Sequence, residues 1–294
     1  MRFRSVLAAT VAVVCLGSLV GATSAARMGP RPSLATGPAS GFVPARHASK
    51  APARRVSLLL WHNGPVMHST TVVPVFWGSS WSNSTFTGDK ITAMDYFYSH
   101  VGNTRYLHTN YEYTDSSGHV GLAVSKSGDL NDWTGTPPSA PSTSQVLAEI
   151  SRVTGGRPIS NAYYPVYSTG RRGNAGYCAW HSSGTINGIR VQFGFFFTLD
   201  GDPGCDPQAP SNLRSQGASA LGNVSGHELS EMLTDPQLNA WYDRQGSENA
   251  DKCAWTWQGL VTIGTQQWKI QGNWSNAAAN AGTGYANVGC IQTS

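Results

Sequence analysis

Charged side chains are scarce in this 294-residue chain. Asp, Glu, Lys and Arg together make up 12% of it, about half the usual share. The scarcity is uneven. Residues 1–56 hold eight Lys or Arg and no acidic residue, while the remainder holds 12 basic and 16 acidic residues, a balance of −4 (12 − 16). The formal charge of +4 therefore belongs to the N-terminal segment, and a basic, nucleic-acid-binding body is excluded. Long apolar runs are missing after Val20, so the sequence offers no membrane-spanning helix there. Cys-x2-Cys spacing is absent, which argues against a zinc site made of cysteines. Gly-x-Ser-x-Gly is absent too, because Gly222-Asn223-Val224-Ser225-Gly226 places its serine one position late. Internal repeats, coiled-coil heptads and signatures for nucleotide, haem or flavin are also lacking.

The start of the chain reads as an export signal. Arg2 and Arg4 precede an apolar run from Val6 to Val20, and small residues follow at Ala22–Ala26. This pattern predicts a signal peptide over 1–26, cut after Ala25 or Ala26, and hence a secreted protein, extracellular or cell-wall-associated. Residues 27–56 are rich in Pro, Ala, Arg and Ser without hydrophobic period, and are expected to form a disordered arm, a linker or pro-segment. The expected folded unit is one domain over 57–294.

Loss of the signal removes Cys15 and leaves Cys178, Cys205, Cys253 and Cys290. An even number in an exported chain favours disulfides. Of three possible pairings, Cys178–Cys205 and Cys253–Cys290 are preferred because each closes a local loop of moderate length. With every cysteine oxidised, no thiol remains as a nucleophile.

Strands are expected over 57–61 and 70–77, around the turn signal Asn63-Gly64-Pro65, and over 162–167 and 189–199. The last is nearly continuous in apolar residues, as a central two-sided strand would be. A strand pair is expected over 106–113 and 120–125, and residues 128–142 read as a surface loop. Apolar residues spaced three and four apart predict helices over 90–101 and 144–153, with a third over 214–233. Short strands such as 268–271 are expected in the Trp/Gly/Asn-rich tail. Strands and helices without strict alternation indicate an α+β fold, a mixed sheet with a few packing helices and a loop-rich aromatic C-terminal third.

The chemistry concentrates in Gly226-His227-Glu228-Leu229-Ser230-Glu231-Met232-Leu233-Thr234-Asp235-Pro236. On a helix, His227 and Glu231 share one face and can reach one ion. Glu228 lies beside them and could take a proton from a metal-bound water. This is the logic of His-Glu-x-x-His zinc peptidases, with a carboxylate in place of the second histidine. Spacing does not supply the third ligand. Glu248 and Asp235 are the main candidates, although Pro236 disfavours helical geometry at Asp235. Asp251, which could instead orient the histidine, and His181 are further candidates. The same residues could equally form an ordinary polar helix face. The cofactor expected is zinc. Calcium is a second possibility, because Asp200, Asp202 and Asp206 alternate in a Gly-rich turn, although a plain turn reads as well.

Tail aromatics Trp241, Tyr242, Trp255, Trp257, Trp268 and Trp274 could stack on sugar rings or fill a core. Gly64-Pro65-Val66-Met67 and Val72-Val73-Pro74-Val75-Phe76-Trp77-Gly78, followed in order by Tyr177–His181, Asp202–Cys205, Gly226–Glu231, Thr234–Pro236, Asn239–Tyr242 and Trp274–Asn276, resemble the phosphate-induced protein 1 (Exordium-like) family over about residues 60–294. His227-Glu228, with Glu248, also resembles gluzincin peptidases. The first resemblance implies an extracellular, wall-associated protein; the second implies hydrolysis. Two functions are therefore expected to compete: a secreted zinc-dependent, peptidase-like hydrolase, and a non-enzymatic protein binding carbohydrate or a surface partner. The expected partners are a peptide or cell-wall polymer, with no nucleic acid and no membrane insertion, and the protein is expected to be a monomer.

Overall fold

The computed structural model describes residues 42–46, 57–286 and 288–294. The signal-peptide segment and most of the 27–56 arm lie outside them. The fold is α+β. Its main sheet contains β1 (Phe42–Pro44), β2 (Thr70–Val72), β3 (Val75–Trp77), β4 (Val124–Lys126), β5 (Leu130–Asp132), β6 (Tyr163–Arg171), β7 (Tyr177–Ile186) and β8 (Ile189–Thr198). The order is β1-β7-β8-β6-β2-β4, and β3 pairs with both β6 and β5. β7 runs antiparallel to β1 and β8, while the other pairs are parallel. Pro74, which carries no N–H, falls between β2 and β3 and divides the expected 70–77 strand in two.

Parallel neighbours need crossovers. Helix α1 (Lys90–His100) lies between β3 and β4, and α2 (Thr143–Val153) between β5 and β6. Helix α3 (Gln216–Thr234) packs on β7 and β8, with α1 beside it. The β7–β8 hairpin turns at Asn187-Gly188, both at positive φ (47° and 82°), the backbone that a two-residue turn of matching twist requires. Aromatic rings fill the core; Phe76, for example, stacks on Tyr167 at 5.4 Å. The tail adds short pairs Val261–Ile263 with Gln266–Trp268, and Asn273–Trp274 with Cys290–Ile291. Disulfides join Cys178 to Cys205 and Cys253 to Cys290, the pairings preferred from the sequence. Among the described residues no helix is long and apolar enough to cross a membrane.

Three expectations need correction. Residues 105–108 form a helical turn rather than a strand, because the Thr104 side chain accepts the Leu107 N–H and caps it. The 128–142 loop contains β5, which the Gly/Pro/Ser composition around it conceals. Within the arm, Phe42–Pro44 is a strand and Val43 is fully buried; two apolar residues between Gly41 and Pro44 are too few to show a period.

Candidate metal centre

Helix α3 holds the site because it is buried on every side. Residues 217–234 are all buried, which polar side chains tolerate only when they are paired. Small residues permit the close packing. A Cβ on Gly222 would lie 2.6 Å from the Trp268 ring, and one on Gly226 would lie 2.6 Å from Ile270. The Ser215 hydroxyl accepts the Ala218 N–H and starts the helix. Pro236 prevents its continuation. Asp235 caps the end, its Oδ1 accepting the Asn239 and Ala240 N–H groups at 2.6 and 2.7 Å.

The helical spacing of His227 and Glu231 places Nε2 of the histidine 3.0 Å from Glu231 Oε1. Asp251 Oδ1, from the turn at 251–253, lies 3.5 Å from the same nitrogen. Strand β7 contributes His181, whose Nδ1 is 3.0 Å from Glu228 Oε2 and 3.5 Å from Glu231 Oε2. Glu248 Oε1 lies 3.6 Å from His181 Nε2. Two groups result, each with ligand atoms within 4.8 Å of one another and able to hold a metal: His181–Glu228–Glu231 and His227–Glu231–Asp251. Glu231 belongs to both and offers one oxygen to each. Asp235 belongs to neither. Asp251 is the member with an accessible side chain, 21% exposed.

Electrostatics explain why such a cluster suits a cation. Burial pushes the Glu228 carboxyl well above its usual range; His227 opposes the shift, while Glu231 and Asp251 add to it. Burial, with Asp251, raises Glu231 to about 7 against the pull of His227. Burial lowers the pKa of His227, but Glu231, Asp251 and Glu228 outweigh it and hold the value well above that of free histidine. Four carboxylates thus face two imidazoles, all but Asp251 shielded from the screening of water. His227 Nε2 and Glu231 Oε2 are completely buried and make no hydrogen bond of good geometry, a condition that ligation by an ion would relieve.

The structure thus brings His227, Glu228, Glu231, Glu248, Asp251 and His181 together and leaves Asp235 at the helix cap. It also adds Gln271, which the sequence reading omitted. The Gln271 Nε2 donates to His227 Nδ1 at 2.7 Å and to the Ala250 carbonyl at 3.0 Å. No periodicity marks it. At the calcium candidate, Asp200 faces Lys90 and Asp202 accepts two bonds from Arg172, so those two carboxylates are paired with the protein's own cations. Of the tail aromatics, Trp268 and Trp274 are buried, while Trp241, Tyr242, Trp255 and Trp257 are half-buried. No protein-family model, no curated protein and no solved structure matches this chain.

Proposed function

We propose that the protein is a secreted, zinc-dependent hydrolase of the peptidase kind. The observation that carries this reading is the convergence of His227 Nε2, Glu231 Oε1 and Asp251 Oδ1 beside the buried Glu228. One nitrogen and two carboxylates form a donor set that zinc accepts, leaving a fourth position for water. Bound there, the ion would polarise a carbonyl and acidify that water. Glu228 is the general base, and His181 orients it through the 3.0 Å contact with Oε2. Glu248 is a reserve carboxylate on the far side of His181. Asp235, engaged by two amides, is assigned to the helix end rather than to the metal. Export is supported by the two disulfides.

The carbohydrate-binding alternative draws less support. Trp268 and Trp274 are core residues, and the Trp255 and Trp257 rings pack edge to face on each other at 6.2 Å.

The deciding experiment is metal analysis of untagged protein by inductively coupled plasma mass spectrometry, beside His227→Ala and Asp251→Asn. About one zinc per chain, lost in His227→Ala, is expected. Glu228→Gln should keep the metal and lose peptide hydrolysis. Metal-free wild-type protein after zinc addition, or full activity in Glu228→Gln, overturns the reading.

A further inference from the structure

We propose that the edge of β7 covered by β1 is the seat for an extended polypeptide substrate, and that Phe42–Arg46 occupies it as a stand-in supplied by the chain itself. The proposal rests on the peptidase reading and names its substrate class and its block.

Four observations place the stand-in. First, β1 lies antiparallel on β7, with Phe42 opposite Trp180 and Val43 opposite Ala179 before the register shifts at Pro44. His181, which contacts Glu228, is the next residue of β7. Second, β1 packs against α3 and against the 251–253 turn, the two elements that supply His227, Glu228, Glu231 and Asp251. Third, the grip is through main chain. The Ala45 N–H donates to Gly176 O at 2.9 Å, and the Arg46 N–H donates to Gly204 O at 2.8 Å. Trp255 Nε1 donates to Pro44 O at 2.5 Å. Main-chain recognition of this kind accepts many sequences, as strand addition at a sheet edge does. Fourth, Val43 is completely buried, as are His181, His227, Glu228 and Glu231. With these groups buried beneath it, the strand has to leave before a substrate can reach them.

The occupant is therefore an extended polypeptide rather than a folded surface or a sugar, and departure of Phe42–Arg46 is the activating event. The segment is joined to the domain through residues 47–56, so it competes at high effective concentration until it is cut or displaced.

The test uses the exported chain and V43D, which places a charge at the buried position. The probe is a fluorescent peptide of this chain's residues 40–47, Ser-Gly-Phe-Val-Pro-Ala-Arg-His, in metal-free buffer. V43D that keeps both disulfides and the wild-type near-ultraviolet circular dichroism should bind the peptide at least tenfold more tightly than wild type. Hydrogen exchange at 177–180 should be slow in wild type, at least tenfold faster in V43D, and slow again with peptide bound. Equal binding by the two proteins, or fast exchange at 177–180 in wild type, overturns the proposal. Should V43D not fold, Trp255→Phe combined with Arg46→Ala loosens the same strand without burying a charge and is read in the same two ways. Neither readout needs zinc or turnover. Failure of the hydrolase reading would leave them unchanged, and failure of the strand exchange would leave metal content unchanged.

Discussion

Gln271 donates its amide N–H to His227 Nδ1 at 2.7 Å. The orientation of the amide is fixed from both ends, because its Oε1 accepts the Trp255 N–H and its Nε2 also donates to Ala250 O. In the neutral ring the proton therefore resides on Nε2, facing Glu231 and Asp251. Ligation through Nε2 requires that proton to move to Nδ1 and Gln271 to present its oxygen instead.

Zinc addition should accordingly switch the His227 tautomer. Long-range nitrogen–proton correlation spectra of histidine-labelled protein, recorded at a pH where His227 is neutral, should show Nε2–H before zinc and Nδ1–H after it. Persistence of Nε2–H with zinc bound would place the ion elsewhere.

Gly222→Ala tests the packing that positions the site. Alanine gains about 1 kcal/mol in helix propensity, but its Cβ would lie 2.6 Å from the Trp268 ring. Overpacking of that kind costs about 1–3 kcal/mol, so the steric term should prevail. Urea unfolding should show a lower midpoint with unchanged slope; a higher midpoint would mean that the tail shifts freely.

Asp132 should make the fold acid-sensitive. Burial raises its pKa, but hydrogen bonds from Thr134 and Gly135, with Arg152 nearby, overcome that and hold it below the usual carboxylate value. The folded value being depressed, the stabilisation is complete above the unfolded value of about 3.9 and is lost as pH falls through the folded one. Melting temperatures of wild type and Asp132→Asn should therefore differ at pH 7 and converge below about pH 4. A constant difference would remove Asp132 from the acid response.

Replacing Cys253 and Cys290 together by alanine should cost about 2–4 kcal/mol, given the 37-residue separation. The same change frees the turn that carries Asp251, so calorimetric titration should also show weaker zinc binding. Stability lost with zinc affinity unchanged would move the third ligand away from Asp251.

Legibility in the sequence followed element length and solvent contact. The 3–4 spacing of Ile91, Met94, Phe97 and Tyr98 located α1, and the nearly continuous apolar run located β8. β7 was missed, because Ser182, Ser183 and Gly184 read as polar surface yet are buried; a Cβ on Gly184 would lie 2.6 Å from Leu147. The Asn187-Gly188 pair was the signal that could have located it. Likewise, helical spacing joined His227 to Glu231, since local geometry suffices there. His181, Asp251 and Gln271 meet them only through tertiary packing, and no spacing rule reports that.

Each disulfide lies beside a piece of the site that α3 does not carry. Cys178 precedes His181 by three residues on β7, and Cys253 follows Asp251 by two. Oxidation thus pins the non-helical half of the cluster to its place. A chain whose thiols are still reduced lacks both pins, so His181 and Asp251 would be held less firmly until oxidation, and the redox state of the compartment would set how tightly the cluster is fastened.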